Sequence, residues 1–356
     1  MISAGAQIQI PAFVTEMDRF ATSVASVEGR AGSSPLGLVQ IFGWSNPGRA
    51  ARERYGSVAD AIMPRMIGDA LAVAIASDGT GIALYDDLRV RSILQGEAAW
   101  NPVFVRDWLA EREESIPVIS GLARHVMAMS GPAAAIGETD AELLGQAIVF
   151  AGEATISERA FLELSRSQAA ADLSGWNAVQ KVSRIDAVLT RRSGKAMDDA
   201  IDGLFTAAGW DWAKATGVAA ALAVAQAESA RLGVALPAAQ GEDGAMVLDH
   251  LQSKTIEVWK AFLADIRVKP FSDQPGAVLI SGILGASNSP LAQLLTEVWQ
   301  QVGGNDRTRS HPNQLKIATE FGTTLQFVEQ GKMADISQMF AALNVALASI
   351  DRKSVV

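Results

Sequence analysis

Apolar residues recur three and four positions apart along most of this chain, the spacing that lays a single stripe along a helix. Phe13, Met17, Phe20, Val24 and Val27 form the first stripe, predicting a helix that begins near Pro11 and stops at Gly29. Residues 30–48 are rich in glycine and proline and predict a long irregular loop. Its centre is apolar, with Leu36, Val39, Ile41, Phe42 and Trp44, so it is expected to lie against the core. Val58, Ile62, Met66, Ala70 and Val73 predict a long helix over 49–75, with Pro64 expected to kink it or divide it in two.

Shorter helices follow. One is predicted over 80–94, and Asn101-Pro102 opens another that carries Trp108. Ile119, Leu122, Val126 and Met129 stripe the next, which Gly131-Pro132 ends. Thr139-Asp140 caps a helix holding Leu143, Leu144, Ala147 and Ile148, and Ser157 is placed to open one holding Ala160, Phe161 and Leu164. In the last third, Leu248, Leu251, Val258, Phe262 and Ile266 share one face of a helix that must stop before Pro270. Ser289 and Pro290 read as an N-cap and first-turn pair for a helix using Leu291, Leu294, Leu295, Val298 and Val302. Two more are predicted, on Leu315, Ala318, Phe321, Leu325 and Val328, and on Ile336, Met339, Phe340, Leu343, Leu347 and Ile350.

The pattern departs from helix in one region, 181–212. An extended-looking run with Ile185, Val188, Leu189 and Thr190 meets Ser193-Gly194 and then Gly203, so a short extended or β connector is expected near 185–206. Thr206 is a candidate N-cap for a helix reaching about Leu232, and residues 233–244 read as a second soft linker. The predicted fold is all-α: an irregular multi-helix bundle in two helical halves. Its parts are an N-terminal helix and loop over 1–48, a first subdomain over 49–180, the connector over 181–212 and a second subdomain over 213–356. No fixed repeat period is visible, which argues against a solenoid.

Composition supports helix packed on helix. Hydrophobic residues make up 49% of the chain and charged residues 19%, while two tyrosines and twelve phenylalanines leave few of the aromatic residues that strands favour. A net charge of −9 without any dense run of Lys and Arg excludes a nucleic-acid partner. The absence of cysteine excludes disulfides, thiolate metal sites and a cysteine nucleophile. No apolar run reaches the roughly 18 residues that a membrane-crossing helix needs, and the first residues lack the basic and apolar regions of a signal peptide.

Motifs that could carry chemistry are sparse. Ser193-Gly194-Lys195 resembles the end of a phosphate-binding loop, but Leu189 stands where that loop requires glycine and Ala196 where it requires Ser or Thr. His125, His250 and His311 fall on separate predicted elements without a second ligand one turn away, and His250 reads as a surface or capping residue. The acid pairs Asp86-Asp87, Glu113-Glu114, Asp198-Asp199 and Glu242-Asp243 point about 100° apart on a helix and read as solvated faces or helix starts. The eight tryptophans read as core wedges. No catalytic, cofactor-binding or metal-binding residue is assigned, and no cofactor is expected.

One set of motifs carries a resemblance. Arg191-x-Ser193-Gly194 followed by Gly203-Leu204-Phe205-Thr206 and Gly209-Trp210 is similar to the signature of the ImcF-related region of the TssM proteins of type VI secretion, the IcmF family. Tyr55 with Ile62-Met63-Pro64-Arg65-Met66 resembles its Tyr…Leu-Pro-Arg-Leu block, and Leu84-Tyr85-Asp86-Asp87-Leu88 its Leu-Tyr-x-x-Leu block. Trp259-Lys260-Ala261-Phe262-Leu263 and then Ser289-Pro290-Leu291 are similar to its Trp-x-x-Phe-Leu…Ser-Pro-Leu. Met63, Met66 and Trp210 depart from the family's usual Leu, Leu and Tyr.

The resemblance implies a non-enzymatic structural part of the type VI secretion membrane complex, a periplasmic helical region of an inner-membrane protein that links its anchor to an outer-membrane partner. It implies as partners further TssM copies, TssL and the lipoprotein TssJ, the last through a C-terminal β-rich module not found in this chain. The nucleotide-binding domain of the family is likewise not expected here. The competing reading is a helical ligand-binding protein or enzyme, which a pocket converging on His250 or on Arg191-Arg192 would favour. If the family reading holds, the 356-residue chain alone fails to retain the lipoprotein in a pull-down, whereas a chain extended through the β-rich module retains it. Equal retention by both would move the docking surface onto these helices.

Overall fold

The computed structural model describes residues 4–32, 47–236, 241–329 and 331–353. The loop expected over 30–48 falls mostly outside them. The chain is 71% helical with two short strands among the described residues. It divides into two compact units, each discontinuous in sequence: Met1–Gln168 with Ala219–Gly244, and Ala169–Val218 with Ala245–Val356. The segment after the connector therefore packs with the first unit before the chain enters the second for good.

In the first unit, the opening helix Ala4–Gly32 runs through Pro11 instead of starting there. Ile10 is fully buried one turn ahead of Val14, so the buried stripe begins before the proline and offsets the one hydrogen bond that Pro11 cannot make. The helix Pro47–Ser77 is likewise unbroken at Pro64. Its buried face is Tyr55, Ala59, Met63, Ile67, Ala70 and Ala74, rotated by one residue from the predicted stripe, and Ile62 is exposed. Asn101 caps the helix Pro102–Arg112 as predicted, and Thr80, read as the first residue of its helix, caps Gly81–Leu94. The stripe of Ile119, Leu122, Val126 and Met129 is not one helix: a short 3-10 turn, Pro117–Ile119, and a single α turn, Ala123–Val126, flank Gly121, whose φ of +85° ends regular helix. Asp140 caps Ala141–Ala151. Thr155, not Ser157, caps Ile156–Ser165, in a reciprocal capping box with Glu158. The core gathers around Trp108, Phe104, Met63 and Ile67.

In the second unit, Ile185–Val188 is one helical turn, so extended backbone begins only at Leu189. The strand Leu189–Arg191 pairs antiparallel with Ile266–Val268, in register Leu189↔Val268, Thr190↔Arg267 and Arg191↔Ile266. The second strand lies outside the predicted connector, where Ile266 was read as helical. The helix instead ends at Asp265, because Ile266 and Val268 are β-branched and the approach to Pro270 disfavours helix. Ala207–Trp212 and Val218–Leu232 are joined by a π turn, Ala213–Gly217. Ser289 caps Pro290–Gln301. The next predicted stripe divides at Phe321 into His311–Glu320 and Gly322–Glu329, with Leu315 exposed. The final helix, Lys332–Lys353, packs against Gln274–Leu284 and leaves Met339 exposed. The core surrounds Trp259, Trp176, Phe262, Leu284 and Val298. Circular dichroism of the chain should show helix dominant; a strand content near the ordinary 20–25% would contradict this fold.

Candidate functional site

The motif residues of the second unit converge on the carboxylate that ends the helix Asp243–Asp265. A negative side chain at a helix C-terminus faces the unfavourable end of the helix dipole and needs compensation. Arg191 Nε donates to Asp265 Oδ2 at 2.7 Å, and Ser193 donates to Oδ1 from its backbone at 2.7 Å and to Oδ2 from its hydroxyl at 2.6 Å. The backbone N–H of Arg192 donates to the Asp265 carbonyl at 2.7 Å. The Ser193 hydroxyl and the Arg191 guanidinium hold the Asp265 carboxyl well below the usual carboxylate range. Gly194, with φ +79°, then reverses the chain. Arg191 also stacks its guanidinium over the Phe262 ring, 5.5 Å from the centroid.

The Gly203–Phe205 turn is built on close backbone approach. A Cβ on Gly203 would lie 2.6 Å from the Leu173 carbonyl oxygen, and one on Gly209 would fall on the carbonyl oxygens of Gly203 and Leu204. Gly203 is therefore required by space and not by a left-handed backbone, which it does not adopt. Thr206 Oγ1 donates to the Gly203 carbonyl at 2.7 Å and accepts from Gly209 N at 3.1 Å, capping the next helix. Leu204 is buried, while Phe205 is only partly so and packs on the second unit's core instead of being enclosed between two halves. What Phe205 contributes is its carbonyl, which accepts from Trp259 Nε1 at 2.7 Å. Trp259, Trp176 and Phe262 meet edge to face, with centroids 5.0, 5.6 and 5.9 Å apart.

The remaining motif residues join the same frame. Ala207 N donates to Gln301 Oε1 at 3.1 Å, tying the Thr206 turn to the helix that Ser289 opens. Ser289 is buried and accepts from Leu291 N at 3.2 Å, with Pro290 buried beside it. Trp210 lies under Arg309, whose guanidinium carbon is 4.0 Å from a ring centroid and which also bonds Gln252 and Asp306. The sequence did not single out Asp265, Trp176, Gln301 or Arg309. Only Asp265 left a signal, an acid in the last turn of a strongly striped helix.

The first unit holds a second cluster that the sequence misplaced. Asp86 and Asp87 are not solvated; both are buried within the helix Gly81–Leu94. Arg166 bridges Asp86 to Glu111 and lies over the Phe104 ring. Asp87 Oδ1 accepts from Trp108 Nε1 at 2.8 Å and from Arg112 Nη2 at 3.0 Å, and Arg112 reaches Asp78 at 2.6 Å. Arg89 makes a bidentate pair with Glu163, at 2.5 and 3.1 Å, and reaches Glu228 at 2.8 Å. Buried Arg159 donates to Ser229 Oγ at 2.9 Å and to the carbonyls of Ala151 and Ala235 at 3.0 Å. Burial pushes Asp86 up to about 6 against the pull of Arg166, and Asp87 up to about 8 against Arg112 and Trp108. His125 is buried too, its Nδ1 2.6 Å from the Tyr55 hydroxyl; burial lowers its pKa.

These clusters define a helical protein whose motif side chains hold backbone to backbone. Among the described residues no group of His, Asp and Glu is arranged to hold a metal ion, and no helix is long and apolar enough to cross a membrane. Grooves of about 580, 420 and 290 Å³ lie elsewhere and are lined by neither Arg191, Arg192 nor His250. The sequence model of the family described as "IcmF-related: Intracellular multiplication and human macrophage-killing" matches residues 25–303. That is well over half the chain, which therefore belongs to the IcmF-related family, with the secretion-system membrane context that family carries. No curated protein and no solved structure matches it.

Two outcomes follow for the buried charges. Asp86 and Asp87 bind protons more tightly folded than unfolded, where the carboxylate value is about 3.9. Their contribution to stability is thus full below about pH 4 and is lost as pH rises through about 6 and about 8. The melting temperature should fall between pH 5.5 and pH 8.5 by an amount that Asp87→Asn reduces; a slope unchanged by that substitution would refute the assignment. Arg166→Met should destabilise by about 3–5 kcal/mol in a denaturant melt at pH 8, because it leaves Asp86 charged and enclosed. The loss should shrink at pH 5, where Asp86 takes up a proton.

Proposed function

We propose that this chain is a non-catalytic, load-transmitting helical part of the type VI secretion membrane complex, the periplasmic ImcF-related region of a TssM protein. It spaces the inner-membrane anchor from the outer-membrane partner, alongside other TssM copies, TssL and, through a further C-terminal module, the lipoprotein TssJ. Family membership supports the secretion context. The observation that carries the structural role is the bonding of the motif itself: Arg191, Ser193, Thr206 and Trp259 are all engaged on Asp265 or on backbone of the same unit. A serine or arginine poised for chemistry keeps an atom directed at a substrate site; here those atoms close turns.

The placement is testable because the chain contains no cysteine. In a whole protein whose other cysteines are replaced, Ser174→Cys introduces a single thiol at an exposed position. In cells making the whole protein, a membrane-impermeant maleimide admitted through a permeabilised outer membrane should label that thiol without lysis. Labelling that appears only after the inner membrane is broken would overturn the periplasmic reading.

A further inference from the structure

The helix Ala141–Ala151 carries large apolar side chains outward as well as inward, beside the exposed Glu142 and Gln146. Leu143, Leu144, Ala147, Ile148 and Ala151 face inward and pack with Leu84, Tyr85 and Leu88 of the first unit. A helix with one face so occupied ordinarily turns polar side chains outward. Here the outward positions include Val149, 72% exposed, and Phe150, 51% exposed.

Gly145 lies four residues before Val149, hence on the same face. Glycine in the middle of a helix weakens it, and is usually explained by a neighbour that leaves no room for a side chain. A Cβ at Gly145 would meet nothing within 4 Å, so nothing in the described part of this chain calls for glycine there. The face thus presents an apolar ridge beside a notch that would let a second backbone approach closely.

Charge decides what fits. From Arg124 to Arg159 the sequence has no Lys or Arg between, but has Glu138, Asp140, Glu142, Glu153 and Glu158. Glu142 and Glu153 are exposed near the two ends of the ridge. A second copy of the same face would bring these carboxylates against one another, and an anionic lipid surface would be repelled. We propose that this face docks a helix of another protein, one that carries an apolar stripe flanked by Lys and Arg. The proposal stands apart from the secretion reading, since it rests on this surface alone.

The probe is a labelled designed helical peptide of about 18 residues, with a Leu stripe flanked by Lys, compared with the same peptide flanked by Glu. Both are titrated against the full chain by fluorescence anisotropy. The Lys peptide should bind, the Glu peptide should bind about tenfold more weakly or not at all, and salt should weaken the Lys peptide. The double variant V149S/F150S should lose about tenfold or more with its melting temperature unchanged. Gly145→Leu should lose as much by filling the notch, while Glu113→Gln with Glu114→Gln, on a different element, should bind as the parent does. Equal binding of the two peptides, or parental affinity in V149S/F150S, would overturn the proposal. So would a lowered melting temperature in V149S/F150S, which would mean that the face is covered within the chain. A parent dimer that the variant dissolves, or binding of the parent but not the variant to anionic vesicles, would assign the face to a second copy or to lipid and equally overturn it.

Discussion

A carboxylate at the wrong end of a helix organises the second unit. Asp265 stands where the helix dipole opposes it, so the helix can end there only if donors arrive from elsewhere. Arg191 and Ser193 supply them across a sequence gap of more than 70 residues, and in doing so they set the register of the two strands that flank the contact. Once Arg191 is fixed, its guanidinium covers Phe262, and Phe262 completes the aromatic cluster with Trp259 and Trp176. Trp259 then takes the Phe205 carbonyl and positions the glycine turn. These contacts form one connected series, so motifs far apart in sequence occupy one small volume.

The first unit relies on a different constraint. Its helix Gly81–Leu94 brings two aspartates and an arginine into the interior, and burying charge is unfavourable unless every group finds a partner. Arg166, Arg112 and Glu163 are those partners, drawn from three other segments. A purely apolar helix could slide or rotate against its neighbours with little penalty; a helix whose charges must meet named counter-charges has a single seating. The network thereby favours one arrangement of the bundle over its near alternatives more than it adds to stability.

Much of the architecture was legible in the sequence because it rests on local signals. Asn101, Asp140, Thr206 and Ser289 each cap the helix that the pattern assigned to them, since a cap needs only a side-chain oxygen and a backbone two or three residues on. The strand at Leu189 was anticipated from its glycines, but its partner at Ile266 was not, because pairing is a non-local choice that a stripe ending in Ile266 conceals. The helices run through Pro11 and past Pro64 undivided because residues on both sides of each are buried, which no single residue announces. The site was half visible. Arg191, Ser193, Gly203 and Thr206 stood out as a motif, whereas Asp265 is one acid among many until the fold brings it to them. Asp86 and Asp87 were misplaced for the same reason: a charged residue reads as solvated unless its partner is already known.

The discontinuity of the first unit bears on how the chain comes into being. Arg89 and Arg159 take partners from Glu228, Ser229 and Ala235, and Arg231 bonds Ser92 across 139 residues of sequence. During synthesis, which proceeds at about 5–20 residues per second, Arg89 and Arg159 emerge well before Glu228, Ser229 and Ala235, and Ser92 well before Arg231. The first unit is thus not finished when its first 168 residues have been made: its interior stays chemically incomplete until the polypeptide has passed through the connector and returned. Any process that delivers this chain in sequence must deliver the whole stretch as far as residue 235 before the buried arginines of the early helices have all their partners.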